Sequence, residues 1–155
     1  MPNPPSRKAD ISISLIESKC LHFVLTDYGQ SNRLKVPDNH YEFSLSISLT
    51  PIENIKQIGI TINSQLFEKK TDQLKLELAA IEVSNSFFIQ NFTELIARNQ
   101  VGDLIVPDSL IKLCNSVTIG VARGMFALKL ENTPYANALL PLLDERLVKT
   151  ITSIN

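Results

Sequence analysis

No tryptophan occurs in the 155 residues, and cysteine and histidine occur twice each. Cys20 and Cys114 lie far apart, with no Cys-x-x-Cys and no histidine at metal-ligand spacing, which argues against a disulfide framework and a zinc site. A reducing, cytoplasmic setting is the expectation. Neither sign of charge is in excess, since 15 Lys and Arg stand against 16 Asp and Glu. Without a basic block to track phosphates, nucleic acid is not an expected partner. No apolar run approaches the roughly twenty residues of a membrane span, and none follows the basic pair Arg7-Lys8 as a signal peptide requires, so a soluble protein without membrane insertion is expected. Gly-x-Gly-x-x-Gly, a phosphate-binding loop and Gly-x-Ser-x-Gly are all missing, which removes the usual starting signals of nucleotide binding and serine hydrolysis and leaves no cofactor to expect.

What is present is apolar weight, 44% of the chain, enough for one core. Residues 1–9, rich in proline and polar groups, read as a flexible tail, and residues 10–150 as a single domain. Ile11, Ile13 and Leu15 alternate with serines, the rhythm breaks at Glu17-Ser-Lys19, and Leu21, Phe23 and Leu25 resume it, which predicts a long or bulged first strand. Asp27–Asn32 and Pro37-Asp-Asn39 supply turn residues. Tyr41, Phe43, Leu45, Ile47 and Leu49 alternate with polar neighbours in the clearest strand of the chain, ended by Pro51. Ile58–Phe67 predicts a third strand, and about Gln73 to Val83 a fourth, joined to it by a short antiparallel turn. Past Ala79 the alternation fails, and the apolar cluster Phe87, Phe88 and Phe92 fits no clean period.

Asp103–Leu130 is the most informative stretch. Pro107 and Asp108 predict a helix start, and Arg123-Gly124 a left-handed stop with a cation at the negative end. Ser116, Gly120 and Gly124 fall four residues apart, a ridge without side-chain bulk that lets another backbone approach, either within the same subunit or in a second copy. Beyond it Phe126, Leu128 and Leu130 alternate. Thr133-Pro134 then predicts the start of a leucine-rich C-terminal helix kinked at Pro141, with a frayed end from Thr150. Strands first and helices last give an α+β fold, a four-stranded antiparallel sheet followed by a long helix and a C-terminal helix.

Val106-Pro107 leading into the helix, Arg123-Gly124 closing it, the alternation of Phe126, Leu128 and Leu130, and Tyr135 opening the last helix resemble, in order and spacing, the SecB family of export chaperones. The likeness spans about Asp10 to Leu143. It implies a homo-oligomer, a dimer of dimers, in which the long helices meet through Ser116, Gly120 and Gly124. It also implies ATP-independent holding of unfolded polypeptides for export, with the SecA motor as a partner. Export-type members are strongly acidic and dock SecA on an acidic sheet face, whereas this chain is near neutral and that face is dominated by hydroxyl and amide groups.

Holding requires apolar side chains that clients can reach. The candidates are Leu21, Phe23, Leu25, Phe87, Phe88, Phe92, Leu139, Leu142 and Leu143, each with an alternative place in the core or at a subunit contact. Two rival readings are a partner-specific adaptor or structural oligomer and a hot-dog-type enzyme using His22, His40, Asp27 or Glu42 as acid-base groups. The enzyme reading meets the objection that a hot-dog helix is wrapped by later strands, while this one follows all four.

Overall fold

The computed structural model describes residues 11–26, 41–69, 71, 74–141 and the backbone of 150–152. Four strands come first: β1 (Ile13–Leu25), β2 (Tyr41–Ile52), β3 (Gln57–Lys69) and β4 (Lys75–Ile89). They pair antiparallel in the order β1-β4-β3-β2. A short helix α1 (Phe92–Leu95) and a small hairpin of β5 (Ala97–Arg98) and β6 (Leu104–Ile105) lead into the long helix α2 (Asp108–Leu130). A three-residue strand β7 (Thr150–Thr152) lies parallel to β2 at the far edge. The architecture is α+β, as the order of sequence patterns predicts.

Alternation places Ile58, Ile60, Ile62 and Leu66 of β3 and Ile47 and Leu49 of β2 on the face that α2 covers, all buried. The opposite face carries Ser44, Ser46, Ser48, Thr50, Thr61 and Asn63. β4 is longer than its sequence pattern suggests, and the reason is a bulge. Leu66 faces Ala79 and Phe67 faces Glu77, so Leu78 is an extra residue that shifts the phase of alternation. Leu78 and Ala79 are both buried, after which Ile81, Val83, Asn85, Phe87 and Ile89 follow at every second position on the inner face.

Pro107 precedes α2 with its carbonyl accepting from the N–H groups of Leu110 and Ile111 at 3.0 Å, and Asp108 sits in the first turn where the helix end favours negative charge. The stop predicted at Gly124 is not used; α2 runs through it to Leu130. Leu110, Cys114, Thr118, Ala122, Phe126 and Leu130 form one row of four-residue steps against the sheet, and stopping at Gly124 would leave the last two out of it. Burying a Phe or Leu side chain contributes about 1.5–3 kcal/mol, more than the roughly 1 kcal/mol that a helical glycine costs. Phe126, Leu128 and Leu130 are therefore helical, with Leu128 outward. The buried Thr118 hydroxyl donates to the Cys114 carbonyl at 2.8 Å, which satisfies it within the helix.

Thr133 ends α2 instead of starting another helix. Its N–H and hydroxyl both donate to the Leu130 carbonyl, at 2.9 and 2.8 Å, and its hydroxyl accepts from the Tyr135 N–H at 3.1 Å. Residues 131–137 form turns and bends, and 138–141 carry no regular structure. The rest of the expected C-terminal helix, 142–149, lies outside the described residues, as do the tail 1–9 and the loop 27–40. The backbone of Thr150–Thr152, expected to fray, is paired with β2.

Candidate functional site

The position of α2 divides the sheet. It lies over β3 and β4 and reaches β1 chiefly through Phe126. Phe126 meets the rings of Phe23 and Phe43 edge-on, with centroids 6.3 and 6.2 Å apart. Lys129 at the end of α2 sets its ammonium 5.7 Å from the centre of the Phe23 ring, and it, not Arg123, supplies the cation in the last turn. Beyond this aromatic contact and Ile13, which packs on the core, Leu15, Cys20 and Leu25 on the helix-side face of β1 are exposed.

β1 is therefore an apolar flank. Leu15 and Leu25 face the helix side, opposite the buried Phe87 and Ala79, yet both are exposed. Two bulges cut the strand, between Leu15 and Glu17 and between Cys20 and His22, and the extra residues are Ile16 and Leu21. Both stand about half exposed, Leu21 at 53%. Among the described residues β1 has β4 as its one neighbour, so its outer edge also presents backbone N–H and C=O groups. Between the bulges Ser18 faces Asn85, and the Ser18 hydroxyl and both polar atoms of the fully buried Asn85 amide have no hydrogen-bond partner among the described residues.

The nine apolar candidates separate. Leu21 and Leu25 are exposed on the flank, and Phe23 is half-buried at its inner border. Phe87 and Phe92 are 1% exposed and belong to the core, so they are not accessible in the folded protomer. Phe88 points to the opposite sheet face from Phe87 and is partly exposed, and Leu139 is exposed after α2. Leu142 and Leu143 lie outside the described residues. The sequence reading missed Leu15, Ile16 and Val24, all exposed on β1; the break at Glu17-Ser-Lys19 was the signal that the strand kinks there and turns extra side chains outward.

The small-residue ridge faces away from the sheet. Ser116, Gly120 and Gly124 are exposed, and a Cβ added at either glycine would meet nothing within 4 Å. No neighbour among the described residues requires glycine at these positions. Leu113, Val117 and Leu128 line the same face and are exposed too, Leu128 at 70%. Among the described residues α2 alone is long and apolar enough to cross a membrane by length and composition, a test that a core helix with a buried row such as Leu110 to Leu130 also meets.

The acid-base candidates are not brought together. His22 faces Glu82 across β1 and β4, on the polar side of the sheet. Glu42 is ion-paired with Lys75, whose ammonium donates to it and holds its carboxyl below the usual glutamate range. His40 and Asp27 lie outside the described residues. Among the described residues no three His, Cys, Asp or Glu side chains converge on a metal-sized site. Burial pushes the Cys114 thiol up to about 12, which keeps it protonated and inert. A cleft of 390 Å³ between the end of β2 and the β5–β6 hairpin is lined by Pro51, Ile52, Glu53, Arg98, Asp103 and Leu104 among others, and the Arg98 guanidinium there is already paired with Glu53.

No family model matches the chain, and no curated protein matches it in sequence. Among solved structures, the chain is similar to the Mycobacterium tuberculosis SecB-like chaperone Rv1957 in complex with a ChAD peptide from the HigA1 antitoxin Rv1956. The TM-score is 0.47 at 10% identity, over 86% of this chain and 91% of that one. A protein of unknown function from Streptococcus agalactiae is similar with a TM-score of 0.36 at 12% identity, over 88% of this chain and 99% of the other.

Proposed function

We propose that the protein is an ATP-independent holdase that shields apolar segments of non-native polypeptides in the cytoplasm, and that it does so on the flank of β1. The observation that carries this reading is the row of exposed Leu15, Ile16, Leu21 and Leu25 on a strand whose outer edge has no partner among the described residues. Exposed apolar surface of this kind marks an interaction site, and an open strand edge adds main-chain hydrogen bonds that do not depend on client sequence. Unfolded chains offer both. The outward ridge Ser116, Gly120 and Gly124, flanked by Leu113 and Val117, supports assembly of copies through α2. The polar sheet face is mostly hydroxyls and amides, and its Glu17 and Glu42 are ion-paired with Lys19 and Lys75, so the proposal does not include docking on SecA.

The purified protein, without ATP, should suppress aggregation of a denatured model protein at near-equal amounts. Replacing Leu21 and Leu25 together by serine should raise the amount needed several-fold while leaving the circular dichroism unchanged. Full suppression by the double variant would remove the flank from the role. No suppression by the parent protein at any ratio, together with capture of one folded partner, would replace a general holdase by a dedicated adaptor.

A further inference from the structure

The two edges of the sheet differ in what lies beside them. β1 is bordered by β4 alone, whereas β2 carries β7, laid parallel with Ile47 opposite Thr150, Ser48 opposite Ile151 and Leu49 opposite Thr152. β2 is 12 residues long, so β7 covers a quarter of it. Among the described residues no strand lies on the outer edge of Phe43–Ser46, whose inner edge pairs with β3.

This pairing has the properties of a contact that another strand can replace. Parallel pairs are slightly less stable per residue than antiparallel ones, and three residues are few beside the usual five or six. A longer extended segment in the same direction gains main-chain hydrogen bonds along Phe43–Ser46 that β7 does not make. The side chains there fit an alternating strand, because Phe43 and Leu45 lie half-buried on the helix side while Ser44 and Ser46 are exposed on the other.

We propose that the edge of β2 is a strand-acceptor site for an extended polypeptide segment of alternating apolar and polar residues, and that β7 occupies this site in the free protein until such a segment displaces it. The inference rests on the holdase reading and adds a second site, at the opposite edge of the sheet from the β1 flank. It differs in that the β2 edge already carries β7, while the outer edge of β1 has no strand beside it among the described residues.

Proline removes an N–H from a ladder, so two full-length variants test the site: Ile151→Pro, and Thr150→Pro with Thr152→Pro. Between them they cover whichever β7 residues donate to β2. Amide exchange at Ile47–Leu49 should quicken about tenfold or more in at least one of the two. Adding reduced, carboxymethylated lactalbumin, which stays unfolded, should restore protection at 43–49 and bind that variant several-fold more tightly than it binds the parent. Binding measured by fluorescence anisotropy without added protection at 43–49 would overturn the acceptor site and leave the holdase reading standing. No binding to any form would overturn both, and unchanged exchange in both proline variants would show that β7 closes nothing.

Discussion

The centre of the sheet and its β1 flank are built from the same residue types and end in opposite states. In β3 and β4, Ile60, Ile62, Val83 and Phe87 are sealed under α2. On β1, Leu15, Leu21 and Leu25 have the same alternation and chemistry yet stay exposed, because α2 lies over β3 and β4 and touches β1 chiefly where Phe126 meets Phe23. Composition does not distinguish core from exposed apolar surface in this molecule. The placement of one helix does.

The sharpest contrast should appear in the thiols, since each region holds one. Cys20 is exposed on β1, while Cys114 is buried on α2 with its thiol pushed up to about 12. An aromatic disulfide reagent should label Cys20 within seconds and Cys114 more slowly by a factor on the order of 10³, set by unfolding. Comparable rates would mean that α2 does not seal the centre. Next in size, Phe87→Ala should cost about 3–5 kcal/mol in denaturant unfolding, whereas Leu21→Ala on the flank should stay within about 0.5 kcal/mol. A large loss at Leu21 would place it in a core after all.

Smaller again is the effect at the outward ridge. Gly120→Ala removes a helical glycine where a Cβ meets open space, so a protomer that stands alone should gain up to about 1 kcal/mol. A loss of stability, with a fall in mass by light scattering, would instead show a second helix packed on the ridge. The smallest effect concerns Glu42, on the polar side of the sheet. Its carboxyl is held below the usual range by Lys75, so its contribution is present above the ordinary glutamate value and is lost as pH falls through the lowered one. Glu42→Gln should slightly flatten the decline of stability on acidification, and an unchanged profile would show that solvent screens the pair completely.

β2 and β3 were legible in the sequence because a sheet with one polar face leaves its period in the residues. β1 was legible as a bulged strand because the break at Glu17-Ser-Lys19 coincides with the region between its two bulges. β4 was only half legible, since the bulge at Leu78 changes the phase and Asn85 puts a polar residue on the inner face. Gly124 misled for a related reason. A local stop signal is worth about 1 kcal/mol, and the two side chains beyond it, Phe126 and Leu130, bury more than that against strands distant in sequence. The same dependence on distant elements kept Leu21 and Phe87 indistinguishable until α2 was in place.

The two bulges of β1 carry one more consequence. A straight strand of 13 residues with an open apolar edge is a template on which identical molecules stack into fibres. Two offsets, with Lys19 and Glu17 ion-paired at 2.6 Å between them, break that template into pieces too short and too charged to propagate. The bulges thus work against stacking of identical copies along an exposed apolar edge.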